Sequence, residues 1–409
     1  RGASNVDEFQ RQKDKVIAAL VGLDADILGL IEIQNSSIAV NDILSALNAA
    51  MGSSVYAVVP DPATPASGDF IRTVLLYHPS KVSLFGPCYT DSDIVWNTPN
   101  PLRNPIAQVF IENSTGERFI ACLNHWKSKS SSGATGINTD QNDGQSAFNE
   151  QRKQQATRVL TWLQGICATA GDYDVIIMGD LNSLGEEDPL DVLRNGGFSD
   201  QGERFQPGDY SYRLGDTRGR PDHAFASSTM APPTTDARHW HINADEPAFY
   251  DYNTEGKTPA QLLINVGTPF RSSDHDPVMI GVSLAPQPTT FAMWTAANLI
   301  GGAAADADND QDGMRNLMEF VLVANPSLGD SQRLPVATRS GNTMHLDYRL
   351  RTNASGITVT PQWSEDMATW YDLTGQFVST VDAVTANHRA SVDTTGKGRV
   401  FMRLRASMP

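Results

Sequence analysis

Between Val6 and Leu23 the apolar residues Phe9, Val16, Ile17, Leu20 and Leu23 recur at helical spacing, and the segment predicts an amphipathic helix. The next stretch, ADILGLIEI, is apolar throughout except for Glu32, the pattern of a strand buried on both faces. FIRTVLLYHP, IAQVFIEN and RFIACLNHW read as further strands bounded by Pro, Gly and Asn. NEQRKQQATRVLTWLQGI predicts a second helix, and DVIIMGDLNS a buried strand that ends in polar residues. PDHAFASS and SDHDPVMIGVSL complete the series. Helices interleaved with strands that are apolar on both faces imply sheets covered by helices. The Ser-, Gly-, Asn- and Asp-rich run from Ser128 to Gln145 reads as a mobile surface loop.

The pattern changes after LAPQPTT, Leu284 to Thr290, a Pro-rich linker. A short helical piece, FAMWTAANLI, leads into ADADNDQDGMRNLMEFVL. From about Leu334 the chain alternates polar and apolar residues, as in TMHLDYRL, GITVTPQW and RVFMRLRAS, which predicts a small all-β module. The expected divisions are an α/β domain over 1–285, a linker with a cation-type loop over 286–330 and a β-rich module over 331–409. No internal repeat of solenoid length is present.

A chain of 409 residues exceeds one ordinary domain, which agrees with this division. No apolar run approaches the ~18 residues that would suggest a membrane span. The net charge is −16. Residues 1–288 hold 21 Lys and Arg against 35 Asp and Glu, so the acidity belongs to the larger N-terminal part. That argues against a generic nucleic-acid binder, although one cleft can reverse the field locally. Cys88, Cys122 and Cys167 form no CxxC pair, so no zinc site or disulfide framework is indicated. One bridge with a free thiol and three buried thiols both remain open. The chain starts mid-stream at RGASNVDEFQ, which reads as a mature or trimmed product.

Five strand ends carry polar groups that a structural role does not need. They are Glu32 in GLIEIQN, Asn124 and His125 in LNHWKSK, Asp180 and Asn182 in GDLNS, Asp222 and His223 in RPDHAFAS, and Asp274 and His275 in SSDHDPV. Any one of them is as readily a turn cap as a catalytic group. Five acid- or histidine-bearing ends are better explained by convergence on one site. Carboxylates with an asparagine and no thiolate make a hard, oxygen-rich set suited to magnesium or manganese. Two histidines beside it suit acid–base work on a phosphate ester, and an Asp bonded to a His fixes its tautomer.

In this order the motifs IEIQN, LNHWKSK, GDLNS, PDHAFAS and SSDHDPV resemble those of the endonuclease/exonuclease/phosphatase superfamily. RGASNVDEFQRQ, YSYRLGDTRGRPDH and WHINADEP followed by YDYNTE resemble its bacterial extracellular nuclease branch. The similarity covers about residues 1–285. It implies a four-layer α/β sandwich, two mixed β-sheets flanked by helices, here followed by the small all-β C-terminal module. By matching motif, Glu32 resembles the metal-binding glutamate and Asp274 a second metal-side carboxylate, for Mg²⁺ or Mn²⁺. His125 resembles the histidine that contacts the scissile phosphate, and Asp180 and Asn182 the pair that positions water and phosphate. His275 resembles the general acid/base and Asp222 its orienting aspartate. Asp276 and Pro277 are expected only to shape the turn. Family members begin with a strand carrying an asparagine, upstream of the segment matching RGASNVDEF. That strand is expected to be missing here, which puts the activity of this polypeptide by itself in doubt.

Substrate contacts are expected from Asn124, Lys127, Arg103 and His223. Lys129, Arg152, Arg213, Arg218 and Arg271 lie close to the motifs in sequence. No exposed apolar hairpin for membrane contact is visible, so DNA, and RNA after it, is favoured over lipid as the partner. DNDQDGMRNLME fits the calcium loop D-x-[DN]-x-[DN]-G-x5-E. Asp308, Asp310 and Asp312, the Met314 carbonyl and Glu319 are the expected Ca²⁺ ligands, with Gly313 at the sharp turn. The layout resembles the calcium-loop-plus-β tails of secreted bacterial proteins, which implies export. The expectation is therefore a secreted, metal-dependent phosphodiesterase acting as an endonuclease. The rivals are a phosphomonoesterase or phospholipid diesterase on the same fold, and a non-catalytic, calcium-stabilised adhesion protein.

Overall fold

The computed structural model describes residues 2–63, 68–96, 102–170, 172–284, 288–298, 300–324, 326, 333–382 and 385–408. The chain divides into two compact units, one of Arg1–Ile166 with Tyr173–Ala285, the other of Cys167–Asp172 with Pro286–Pro409. The central linker residues 285–287 lie outside the described residues.

The first unit opens with α1 (Val6–Leu23), β1 (Ile27–Gln34), α2 (Ser37–Ala50), β2 (Ala57–Val58) and β3 (Ile71–Tyr77). Helix α1 starts at Asn5, whose side chain accepts from the Glu8 amide at 2.9 Å, a satisfied N-cap. Its inner face buries Ile17 and Leu20 with Val40 and Leu47 of α2 against Leu28, Val74 and Leu76. These strands form an antiparallel sheet in the order β1-β3-β2.

Next come β4 (Val82–Thr90), β5 (Ile106–Glu112), β6 (Arg118–His125), α3 (Asn149–Ala170) and β7 (Val175–Asp180). They are followed by α4 (Asp188–Asn195), β8 (Phe198–Asp200), α5 (Gln201–Phe205), β9 (Tyr212–Leu214), β10 (Thr217–Gly219) and β11 (Asp222–Ser227). The unit closes with β12 (Thr234–His239), α6 (Pro259–Leu262) and β13 (Val278–Val282). Six strands build a mixed sheet in the order β4-β5-β6-β7-β11-β8, with β6 and β7 parallel and α3 as their crossover. The core between the sheets holds Leu75, Phe110, Phe119, Leu123 and Ile176. This is the expected α/β sandwich.

The second sheet is divided. Strand β13 pairs only with β12 and β1 only with β3, among the described residues. A cleft of about 2300 Å³ is lined by residues of both strands, by Phe119, Leu123 and Met178, and by Glu32, Asp180, Asp222, Asp274 and His275.

The run from Ser128 to Gln145 is largely exposed and is anchored near its two ends. Buried Arg152 donates to the Ala147 and Gln145 carbonyls at 2.8 and 2.9 Å, and Lys129 pairs with Glu187. Cys88, Cys122 and Cys167 are all buried, and none is in a disulfide.

The second unit holds α7 (Phe291–Ala297), α8 (Asn316–Leu322), β14 (Val336–Ser340), β15 (Thr343–Arg351), β16 (Thr358–Ser364), β17 (Tyr371–Asp372), β18 (Gln376–Asp382), β19 (Thr385–Asp393) and β20 (Phe401–Ser407). Two antiparallel sheets, β14-β15-β19-β18 and β17-β16-β20, follow the alternating text. Phe291, Trp294, Met314 and Phe320 pack with Leu346, Tyr348 and Leu404 in a core of their own.

Lys15 is fully buried and donates to the Asn265 and Phe270 carbonyls at 2.8 and 2.9 Å. Burial, then Arg11 and Lys257, push its pKa down to about 8. The folded chain sheds this proton before the unfolded chain does, so Lys15 adds stability as pH rises from about 8 to 10.5. A neutral amine still donates to both carbonyls. Lys15→Met should cost about 1–3 kcal/mol at pH 7 by stranding two buried acceptors. The gap to wild type should widen by pH 10, read by urea unfolding of both proteins.

Candidate active site

Strand register brings the chemistry together. Across β6, β7 and β11, His125 stands opposite Asp180, and Asp180 opposite Asp222. Three adjacent strands thus end in one row of two acids and a histidine. Opposed residues in a sheet project to the same side, with Cβ atoms about 5 Å apart. The row needs β7 to approach β6 closely at Gly179. Gly179 has φ +123°, and a Cβ there would stand 2.1 Å from the Asn124 carbonyl oxygen. Only glycine fits.

Asn182 follows in the left-handed region at φ 48°. Its backbone amide donates to Asp180 Oδ1 at 2.8 Å and its side chain to Asp180 Oδ2 at 3.0 Å. His125 Nε2 lies 3.6 Å from Asp180 Oδ2 and 3.8 Å from Glu32 Oε1. Glu32 reaches this position through a bulge between Leu30 and Ile33 and a backbone φ of 59°. A non-glycine residue at positive φ within a strand costs about 1–2 kcal/mol and is retained where the packing demands it.

His275 Nδ1 and Asp222 Oδ2 are 2.7 Å apart, so the ring's Nε2 faces away as its second donor. Ser211 Oγ donates to the same Asp222 oxygen at 2.6 Å. Tyr212 forms a backbone bridge with His275, and their ring centroids are 4.5 Å apart.

The charges sort accordingly. Burial pushes Asp180 up to about 7, with the Asp222 charge adding to it and His275 opposing. Burial alone would raise Asp222 too, but the His275 charge and hydrogen bond and the Ser211 hydroxyl hold it below the usual carboxylate range. Against its own burial, Asp222 carries His275 up to about 10. Burial, Arg103 and His275 push His125 down to about 3. One histidine is therefore neutral and the other cationic at pH 7.

Asp180, Asp222 and His275 have ligand atoms within 4.8 Å of one another. Glu32 and Asp274 line the same cleft, although neither belongs to such a group of three among the described residues. All the acids here offer hard oxygen donors. Glu32 and Asp274 add two further carboxylates to the cleft, an oxygen-rich set that suits a divalent cation.

Two residues expected to touch substrate brace the site instead. Asn124 is fully buried, its amide donating to the Cys122 carbonyl at 3.2 Å and its oxygen accepting from Trp126 Nε1 at 3.1 Å. His223 is buried with both ring nitrogens in use, on Asp200 at 3.1 Å and the Ser183 carbonyl at 2.9 Å. Arg103 donates to the Trp126 carbonyl at 2.7 Å and stands 3.5 Å from Asp69, beside the row. The Lys127 ammonium lies 4.1 Å from the Phe148 ring centroid. Asp276 does far more than shape a turn. Its Oδ1 accepts from the amides of Ile242, Asn243 and Ala244 at 2.7–3.1 Å, and its Oδ2 meets His241 at 2.9 Å.

Gly179→Ala should destabilise the protein by about 3 kcal/mol or more, since backbone must move to admit the methyl. Gly165→Ala, on the exposed face of α3 with nothing within 4 Å, should stabilise by about 0.5–1 kcal/mol. Urea denaturation of the pair checks both signs.

The family model described as the Endonuclease/Exonuclease/phosphatase family matches residues 2–275. Comparison with curated proteins found no match. Among solved structures, a mannosyl-6-phosphatase from Bacteroides thetaiotaomicron VPI-5482 is similar, at 18% identity and a TM-score of 0.47, covering 69% of this chain and 97% of that one. D. rerio TDP2 complexed with single-strand DNA product is similar at 17% identity and a TM-score of 0.40, covering 67% and 94%. The human Nocturnin catalytic domain with bound sulfate is similar at 16% identity and a TM-score of 0.38, covering 56% and 76%. The family match runs through every strand end of the site, and the chain belongs to the Endonuclease/Exonuclease/phosphatase family.

Proposed function

We propose that this protein is a secreted, divalent-metal-dependent phosphodiesterase that acts as an endonuclease on DNA, and on RNA where it is offered. The observation that carries the reading is the Asp222–His275 pair at 2.7 Å beside Asp180 and Asn182 at the mouth of the cleft. Members of the family hydrolyse phosphate esters with divalent metals. Glu32 and Asp274 would hold Mg²⁺ or Mn²⁺. A metal held there would polarise the phosphate and offset charge that develops on its oxygens.

Asp180 and Asn182 hold the attacking water. Its oxygen forms a bond to phosphorus as its proton passes to the Asp180 carboxylate. The bond from phosphorus to the leaving oxygen breaks as the His275 Nε2 proton moves onto that oxygen. Asp222, itself held by Ser211, keeps the imidazole oriented and charged until transfer. Solvent then takes the Asp180 proton and returns one to His275. His125, a neutral ring, supplies a hydrogen bond rather than a charge at the phosphate. Arg103 lies close enough to offset the row's negative charge.

The second unit carries a structural calcium loop in this reading. Asp308, Asp310 and Asp312 place carboxylate oxygens within 4.8 Å of one another. Asp308 Oδ1 and Asp310 Oδ2 are buried without a hydrogen-bond partner. Gly313 takes φ +93°, Met314 offers its carbonyl, and Glu319 is fully buried in α8. Calcium loops of this kind suit the millimolar calcium outside cells, which supports export.

Supercoiled plasmid should be nicked with Mg²⁺ or Mn²⁺ and left intact with EDTA, and His275→Ala should lower the rate about 10²–10⁴-fold. If plasmid and oligonucleotides stay whole while simple phosphate monoesters are hydrolysed, the nuclease reading fails. Calcium should raise the melting temperature of wild type by several degrees and leave Asp310→Ala unmoved, read by calorimetry with and without EGTA.

A further inference from the structure

Next to the catalytic pair lies a set of planar groups that the reaction does not use. Tyr210 precedes Ser211 and Tyr212, the residues that contact Asp222 and His275. The Tyr210 ring stacks on His241 with centroids 4.3 Å apart and planes 17° from parallel. The Arg218 guanidinium lies 4.5 Å from the same Tyr210 centroid. His241 and the Arg218 guanidinium thus both pack on the Tyr210 ring. Asp245 holds it in place. It accepts from the Tyr210 hydroxyl at 2.6 Å, from Arg218 Nη2 at 2.5 Å and from Arg213 Nη1 at 3.0 Å.

The local charges decide what such a ledge can take. Arg213 and Arg218 face Asp245, Asp216 lies 3.9 Å from Arg213, and His241 meets Asp209 and Asp276, so the carboxylates fully offset the arginines. Such a patch has little hold on a phosphate. What it offers is a plane. The Arg218 side chain is 53% exposed, and its outer face is fixed by the bond to Asp245 before any ligand arrives. A guanidinium plane stacks on an aromatic base and hydrogen-bonds at its edge. The C–H face of a sugar presents hydrogens of positive partial charge to that cation and gains nothing.

We propose that the cluster of Arg218, Tyr210 and His241 is a subsite for a nucleobase next to the scissile phosphate, which makes a nucleotide strand, rather than a sugar or lipid phosphate, the substrate. The proposal rests on the phosphodiesterase reading for the chemistry, but its binding prediction is separate.

The test compares two tetranucleotides of thymidine, one complete and one with abasic tetrahydrofuran residues flanking the central phosphate. Affinity is read by fluorescence anisotropy on the full chain in EDTA, so that nothing is cleaved. The complete strand should bind about 5–100-fold more tightly, the worth of one stacked base. In Arg218→Ala that ratio should fall below about threefold. Arg218→Lys should lose it as well, because it keeps the charge and removes the plane. A wild-type ratio near one, or a ratio retained in Arg218→Lys, overturns the subsite. Adding Mg²⁺ and following cleavage tests the chemistry independently. Base preference without cleavage removes the phosphodiesterase reading and keeps the ledge, and cleavage without base preference does the reverse.

Discussion

Two carboxylates and a histidine stand side by side on adjacent strands because β6, β7 and β11 hold one register. Everything else at the site answers the electrostatic problem that this row creates. Asp180 and Asp222 are directly opposed and both buried, so the two charges repel with little water to screen them. His275 resolves half of the problem by pairing with Asp222, which leaves Asp180 as the strained member, pushed up to about 7. A carboxyl poised there and an imidazolium beside it form an acid–base pair set by environment rather than by residue type.

Holding such a row takes more polar structure than the row itself. Gly179 lets two backbones come close enough, and Trp126 ties them together. The Trp126 amide donates to the Asp180 carbonyl at 2.9 Å, and its own carbonyl accepts from Arg103 and Asn182. Around β11, Asp200 binds both Arg220 and His223, and Asp209 receives His239, so each buried charge meets an opposite or hydrogen-bonding partner. These braces act through geometry. A loosened brace would let the row spread, and reacting groups misplaced by about 1 Å lose a large part of their effect.

The ledge beside the row has a different character. Its arginines are neutralised by aspartates, in keeping with a unit of high net negative charge that cannot rely on a broad basic surface. Recognition by planes and a few directed bonds suits an acidic protein better than recognition by field. The second unit has its own apolar core and its own acidic loop, so its stability has a separate origin.

Read alone, the chain marks the polar groups that the fold gathers into one row. Glu32, His125, Asp180, Asp222 and His275 each interrupt or end an apolar run, and a charge in that position is costly enough to signal a purpose. Helices α1 and α3 and the alternating C-terminal strands follow from local periodicity. Other features depend on residues far apart in the chain. The bulge that turns Glu32 toward His125 is invisible in ADILGLIEI, because a bulge is a mismatch between two strands and not a property of one. The polar tips of Asn124 and His223 look like substrate contacts in their motifs, and only packing against Trp126, Asp200 and Ser183 makes them braces. Asp276 reads as a turn residue until three amides of a distant loop converge on it. Residue type and local period marked which polar groups stand at strand ends. Strand register and long-range hydrogen bonds, which no short window of sequence contains, decided which of them meet.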